Sequence, residues 1–317
     1  MLFRSVRHLF VALLLLQQGL MLAVFLTGDL FNLYVVLEAI SLIITLLIHF
    51  KRDKRSVYDG LVYLMINTLA MVFYLFGLGM LYRLYGVLDI ERLTVLIRET
   101  SQPRQLILPF ALMLTAVTLK AALFPLFSWL PKAHGTPGAP SVVSALLSGL
   151  SVKMGLYLFI RLQSVFASQI SLSFFFILLG FITGLAGAWL ALKQTDIKRI
   201  LAYSTISQLG LILIGLSYGT DKAFWGAIYH LINHALFKSA LFLTAGLIVE
   251  LEGSRDIRQL SGIARKAPFI TITAMLAMLG ITGAPLFNGS LSKYLISSGL
   301  EGSVFEYGLL LVNLGTM

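Results

Sequence analysis

The chain has 317 residues, of which 58% are hydrophobic and only 12% charged, with no cysteine and a formal net charge of +10; its mean hydropathy is +0.90. A soluble domain is nearer half apolar and a quarter charged, so this is an integral membrane protein; the lack of cysteine excludes disulfides, thiolate-held iron–sulfur clusters and cysteine zinc sites. The basic excess lies mostly in short loops between apolar runs, where it reads as a topology signal rather than a nucleic-acid surface.

A spanning helix needs about 20 mostly apolar residues. Such runs lie near 9–28, 30–50, 60–82, 106–129, 141–163, 170–192, 197–217, 222–249 and 268–299, with a last one from about 303. The runs are long and continuous, which argues against barrel strands. The first run leads straight into a second, so it is not a cleavable signal peptide. The fold class is an all-α membrane protein with about ten transmembrane helices. Two stretches between spans, 87–102 and 254–266, have the composition of amphipathic surface helices.

If each run crosses once, one side receives Arg4, Arg7, Lys51, Arg52, Lys54, Arg55, Lys132, Lys193, Lys198, Arg199, Arg255, Arg258, Arg265 and Lys266. The other receives Arg83, Arg92, Arg98, Arg104, Arg161 and Lys222. The first side is then the cytoplasm, with loops 51–59, 193–199 and 250–267 facing it.

Two spans are interrupted. Pro125 follows LKAALF in the fourth, and GITGAPLFNGS brings three glycines, Pro285 and Asn288 into the ninth. Proline and glycine at membrane depth free backbone groups that need protein or water partners. The spacing favours a proline kink at 125 and a true break at about 280–290. A pair of broken helices in two halves is the pattern of a transporter with internal repeats.

The charges inside the spans carry the functional reading. Glu38 lies in LFNLYVVLEAISLIITLLI, Lys120 in LMLTAVTLKAALFPLF, and Lys153 in ALLSGLSVKMGLYLFI. His230, His234 and Lys238 share one span, and Lys293 follows the second break; Asp29 and Asp196 lie nearer span ends. A charge at the bilayer centre costs roughly +2.5 to +3.5 kcal/mol on insertion scales. Taken singly, a lysine can snorkel, a glutamate can buttress, and a histidine on an apolar face is more often a satisfied core residue. Taken together, the set is Lys, His and Glu with no arginine at mid-depth. Lysine can give up its proton when buried and arginine cannot, so the set suits a proton wire.

Residues 230, 234 and 238 fall at i, i+4 and i+8, a slowly drifting stripe about 12 Å long. Water can bridge them. A His-x-x-x-His metal site is the competitor. No Asp or Glu accompanies the two histidines in the helix core, and a lysine holds the next position of the stripe. No metal and no cofactor is expected, since no quinone, flavin, haem or nucleotide motif is present. GITGAPLFNG follows no strand and is not a phosphate loop.

At these residues the sequence resembles the antiporter-like membrane subunits of respiratory complex I and of Mrp-type sodium/proton antiporters. GDLFNLYVVLE (28–38) is most similar to the glutamate helix of the D subunit of Mrp antiporters. KAALFPLFSWLPKAHGTPGAPSVVSALLSGLSVKMGLY (120–157), DIKRILAYSTISQLGLILIG (196–215), YHLINHALFKSALFLTAG (229–246) and residues 280–295 carry the rest of the likeness. The resemblance implies two inverted five-helix repeats, here 1–163 with its broken helix near 120–130 and 164–317 with its broken helix near 280–290. It implies that Glu38 and Lys120 form the modulating pair of one half-channel, that Lys153, His230, His234 and Lys238 extend the central axis, and that Lys293 gates the other. Family members have about fourteen helices, so the chain reads as truncated at both ends, with its last helix incomplete.

The expected function is proton translocation through two linked half-channels as a subunit of a multi-subunit Mrp-type antiporter in a prokaryotic inner or plasma membrane. Its partners would be other membrane subunits, lipid, protons and, as an open point, sodium; no nucleic acid is involved. No catalytic chemistry is expected within this chain itself. The alternatives are a proton-pumping subunit of complex I (an NADH:quinone oxidoreductase), of a membrane-bound hydrogenase or of formate hydrogenlyase, a structural membrane scaffold, and a membrane enzyme with a His-x-x-x-His metal.

Overall fold

The computed structural model describes residues 2–135 and 139–315, with the side chains of 2–7 and 314 left aside. The described residues are almost entirely helical, and the chain falls into two compact units. Residues up to 121 together with 154–171 form one, and 122–153 together with 172–317 form the other. The topology signals Arg4 and Arg7 lie among the side chains left aside.

The first unit begins with α1 (Leu2–Leu26), α2 (Leu30–Ile48) and α3 (Lys54–Tyr85). Asp29 caps α2 through the N–H groups of Phe31 and Asn32, both at 2.8 Å. Asp53 caps α3 through Ser56 N. That N–H holds the exposed Asp53 carboxyl below the usual carboxylate range. Gly86, at φ 71°, ends α3 in the left-handed conformation that glycine reaches without strain. The short α4 (Ile90–Arg98) buries Ile90, Leu93 and Ile97, as expected for an amphipathic surface helix. The counterpart expected at 254–266 is different: it holds one 3₁₀ turn at Ile257–Gln259 and a four-residue helix.

α5 (Ile107–Lys120) ends at its lysine. Around Pro125, where the residues alone suit a kink and the family resemblance implies a broken helix near 120–130, the helix is fully broken and does not resume until α6 (Trp129–His134). Pro125 lacks an N–H and crowds the preceding turn. The freed Phe124 N–H finds Thr183 Oγ1 at 3.0 Å instead.

The second unit continues with α7 (Ser141–Leu146), which widens into a π turn at Leu147–Ser151; α8 (Val152–Phe166) follows and belongs to the first unit from Met154 on. α9 (Ser173–Leu192) and α10 (Ile197–Ser217) follow. Gly180 and Gly184, one turn apart on α9, let α10 approach closely: a Cβ at Gly210 would lie 2.5 Å from both Gly180 O and Gly184 N. The unit ends with α11 (Asp221–Glu252), α12 (Ile263–Lys266), α13 (Pro268–Thr282), α14 (Asn288–Gly299) and α15 (Val304–Leu314). The expected second break is present between α13 and α14. α14 starts at Asn288.

Among the described residues, seven helices are long and apolar enough to cross a membrane, and α13 and Val304–Asn313 are shorter apolar helices. The interruptions at 121–128 and 283–287 explain why the fourth and ninth apolar runs are not among the seven.

Two local features recur with a fixed offset. Asp29 and Asp89 form an isolated antiparallel bridge, and so do Asp196 and Asp256, each aspartate 167 residues after its counterpart. In the first bridge Leu30 N donates to Leu88 O at 3.0 Å and Ile90 N to Gly28 O at 2.9 Å. In the second, Ile197 N donates to Arg255 O at 3.0 Å and Ile257 N to Thr195 O at 2.9 Å. The 32-residue helices α3 and α11 obey the same offset, as do the glycines at φ 71° and 68° that end them, Gly86 and Gly253.

Candidate functional site

The titratable residues singled out in the sequence fall into one cluster in each unit. In the first unit, Glu38 sits half-buried on α2, and Lys120 is buried at the end of α5. Glu38 and Lys120 act on one another electrostatically, yet they form no direct ion pair. The Lys120 ammonium instead donates to Ser41 Oγ at 2.9 Å and to Leu37 O at 3.5 Å. Ser41 lies three residues after Glu38, on the same face of α2. Its hydroxyl donates to Leu37 O at 2.9 Å and is also hydrogen-bonded to Tyr63 of α3. The charge lost from water is thus solvated by a hydroxyl and a carbonyl, with the carboxylate beside them rather than in contact.

In the second unit, Lys153, His230, His234, Lys238 and Lys293 are all buried. The π turn at Leu147–Ser151 directs the Ser148 carbonyl to the Lys153 ammonium, which donates to it. The Ser148 hydroxyl meets Thr205 Oγ1 of α10 at 2.7 Å. On α11 the expected stripe is present: the rings of His230 and His234 stack with centroids 6.3 Å apart. His230 bridges two other helices. Its Nε2 lies 2.8 Å from Gln208 Oε1 on α10, and its Nδ1 lies 2.9 Å from Ser292 Oγ on α14. Both ring nitrogens of His234 are buried with no hydrogen-bond partner. Lys238 donates to Ser204 Oγ at 2.5 Å and Leu201 O at 3.0 Å.

Lys238 also lines a cavity of about 380 Å³, together with Ser204, Gln208, Leu241, Met278 and Thr282. Lys293 lies in the second turn of α14 and reaches back across the break to donate to Thr282 O at 3.2 Å. The nearby N-terminus of α14 repels this ammonium. The structure adds an attractive partner, a free carbonyl at the C-terminal end of α13.

Of the polar side chains on the neighbouring helices, Ser148, Thr205 and Gln208 take part. Ser144 bonds the carbonyls of His134 and Pro140 instead, at 2.9 and 3.3 Å. Ser207 Oγ is buried without a partner. Sequence reasoning missed Ser41, Tyr63, Ser204, Ser292 and His134. Ser41 was findable, since it follows Glu38 by one helical turn. His134 is fully buried, edge-on to Phe242 with centroids 5.0 Å apart, and both its nitrogens lack a partner. Among the described residues, no three His, Asp or Glu side chains come together to hold a metal.

Comparison with known proteins adds the relationship. A family model described as NADH:quinone oxidoreductase/Mrp antiporter, TM matches residues 27–315. The N subunit of the NADH-quinone oxidoreductase of Desulforudis audaxviator is 37% identical over 96% of this chain and 61% of its own length. The D subunit of the Na(+)/H(+) antiporter of Alkalihalophilus pseudofirmus is 33% identical over 85% of this chain and 55% of its own. Among solved structures, a chain of the Mrp complex from Dietzia sp. DQ12-45-1b superposes with a TM-score of 0.88 at 27% identity, covering 96% of this chain and 57% of that one. A chain of the membrane-bound sulfane sulfur reductase, an archaeal respiratory membrane complex, gives 0.83 at 27% identity, covering 92% and 60%. The chain therefore spans somewhat under two thirds of the length of these relatives.

Proposed function

Since the chain belongs to the NADH:quinone oxidoreductase/Mrp antiporter transmembrane family, we propose that it moves protons across a prokaryotic inner or plasma membrane as one subunit of a multi-subunit cation/proton antiporter. The path in the first unit runs by Glu38 and Lys120, and in the second by Lys153, His234, His230, Lys238 and Lys293. One observation carries the reading: Lys120, Lys153 and Lys238 are buried without a direct carboxylate partner and are held by hydroxyls and carbonyls. A buried charge kept for architecture needs an opposite charge beside it, because an uncompensated one is strongly destabilising. An ammonium held by neutral acceptors can release its proton and leave no stranded anion. That suits transfer better than scaffolding.

The 167-residue offset supports two repeats of inverted topology. Five crossings separate Asp29 from Asp196 if the interrupted α5–α6 segment counts as one. An odd number puts the two aspartate bridges on opposite membrane faces. With the lysine and arginine bias, loops 51–59, 193–199 and 250–267 are cytoplasmic.

The test is gradient-driven proton transport by the assembled complex in vesicles. Lys120→Ala, Lys153→Ala and Lys293→Ala should each abolish transport and leave assembly intact. Parental rates in all three would sink the proposal. The 37% identity to a complex I subunit favours one second reading, a redox-driven host complex. Partner subunits co-purified with the chain distinguish the two: a quinone- or hydrogen-reactive module supports the redox host.

A further inference from the structure

We propose that Gln208 is a two-position latch on the tautomer of His230, presenting its carbonyl to Nε2 in one pose and its amide NH2 in the other. This rests on the proton-path reading and gives it a mechanism at one ring. Neutral imidazole has one donor nitrogen and one acceptor nitrogen, so its two partners must present one acceptor and one donor. In the arrangement seen, Gln208 Oε1 accepts from Nε2–H at 2.8 Å, so Nδ1 must accept from the Ser292 hydroxyl at 2.9 Å. The Gln208 NH2 is then left buried with no partner, which is costly for a polar group out of water.

Ser292 carries the sign of a second arrangement. Its Oγ also lies 3.1 Å from Gly289 O, at the start of α14. A hydroxyl has one proton, so it donates either to His230 or to Gly289. If it donates to Gly289, its oxygen accepts from Nδ1–H, and Nε2 becomes the acceptor. A half-turn of the Gln208 amide then brings its NH2 to Nε2 and satisfies it. Between the two arrangements, the Ser292 hydroxyl passes its proton to Nδ1 and takes a replacement from water on the Lys293 side, while Nε2 releases its proton to water in the cavity that Gln208 lines. The ring's charge is the same before and after. His230 therefore donates toward α10 in one pose and toward the break beside Lys293 in the other.

The repeat offset offers an independent check. Positions 208 and 230 correspond to 41 and 63, and in the first unit the Ser41 hydroxyl is hydrogen-bonded to Tyr63 while accepting from Lys120. Both units thus place a side chain that can donate and accept at the same repeat position, against a ring on the long helix. The titratable groups around His230 are His234 on its own helix, Lys293 on α14 and Lys153 on α8; none lies on α10, where Gln208 faces it.

The test uses the assembled complex in vesicles, comparing Gln208→Glu, Gln208→Met and His230→Ala across pH, with the ring nitrogens of His230 read by nitrogen-15 NMR. A glutamate presents acceptors in both poses, so Gln208→Glu should fix the proton on Nε2, lower transport by about tenfold or more and move its pH optimum upward. Gln208→Met keeps the volume but neither pose, and should lower transport with both tautomers populated. If either variant transports at the parental rate with the parental pH profile while His230→Ala is inactive, the latch is wrong and the path stands. If His230→Ala itself transports normally, the proton path through this ring is wrong. Should Gln208→Glu fail to assemble, Gln208→Met and the tautomer spectrum of the parent decide, since a single Nε2–H tautomer at every pH also overturns the latch.

Discussion

The Lys293 ammonium donates to the carbonyl oxygen of Thr282 at 3.2 Å, across the interruption that separates α13 from α14. The lysine is therefore held by the frayed end of the preceding helix. Its stem passes 3.2 Å from the position a Cβ would take at Gly283, whose φ of 85° also favours glycine.

Lys293→Ala should abolish proton transport in the assembled complex and leave assembly intact. Lys293→Arg should retain the charge but not the release, because arginine stays protonated in proteins. Its broader head must also fit against Gly283. Gradient-driven transport in vesicles, measured for both, checks this. Parental transport by the arginine variant would make Lys293 a structural charge.

Gly289→Ala should destabilise the second unit. A methyl at Gly289 would collide with the Gly280 carbonyl oxygen and lie 3.4 Å from Phe237 Cε2. The carbonyl is backbone, so α13 and α14 must move apart. Overpacking of this kind costs about 1–3 kcal/mol. A lower Tm of the purified complex in detergent is the expected result, and an unchanged Tm would mean that the crossing of α13 and α14 gives way without cost.

The spans, the second break, the half-buried Glu38 and the buried set Lys120, Lys153, His230, His234, Lys238 and Lys293 were legible because each rests on composition or helical period. The break at 121–128 was legible only through the family resemblance, since by itself a proline in an apolar run also fits a kink. What decides it is Thr183, distant in sequence, which satisfies the freed Phe124 N–H. The place of Ser41 at the Lys120 ammonium, as distinct from its position on α2, was not legible for a similar reason. Opposite charges suggest a direct pair, whereas a neighbouring hydroxyl can outcompete a half-buried carboxylate for the ammonium. The partners Tyr63 and Ser292 are set by helix packing, which no local pattern encodes.

Asp196→Ala should cost more stability than Asp29→Ala, although the two cap equivalent helices. Each carboxylate satisfies two N–H groups at a helix start, worth typically about 1 kcal/mol. Asp196 additionally pairs with Arg255 at 2.7 Å. Arg255 also donates to Gly135 O, and its Nε and Nη1 atoms are buried without partners. Removing Asp196 strands that guanidinium further. Thermal unfolding of the two variants side by side should give the lower Tm for Asp196→Ala; equal values would mean that the Arg255 pair contributes nothing.

The double exchange Glu38→Lys with Lys120→Glu should lose transport. A scaffold that needs only opposite charges would tolerate the swap, because their mutual attraction is unchanged by exchange. The surroundings are not symmetric. Position 120 faces the Leu37 carbonyl and the Ser41 oxygen, both of which now accept from the ammonium. A carboxylate there meets the carbonyl as acceptor against acceptor, and only the Ser41 hydroxyl can turn to donate, giving up its bond to Leu37 O. A lysine at position 38 would be half-exposed, with no such cradle. The swap should therefore lower gradient-driven transport by at least about tenfold, and Ser41→Ala in the unswapped protein should lower it less, since the Leu37 carbonyl and Glu38 remain. If the swapped complex transports at the parental rate, the two charges serve only to balance one another.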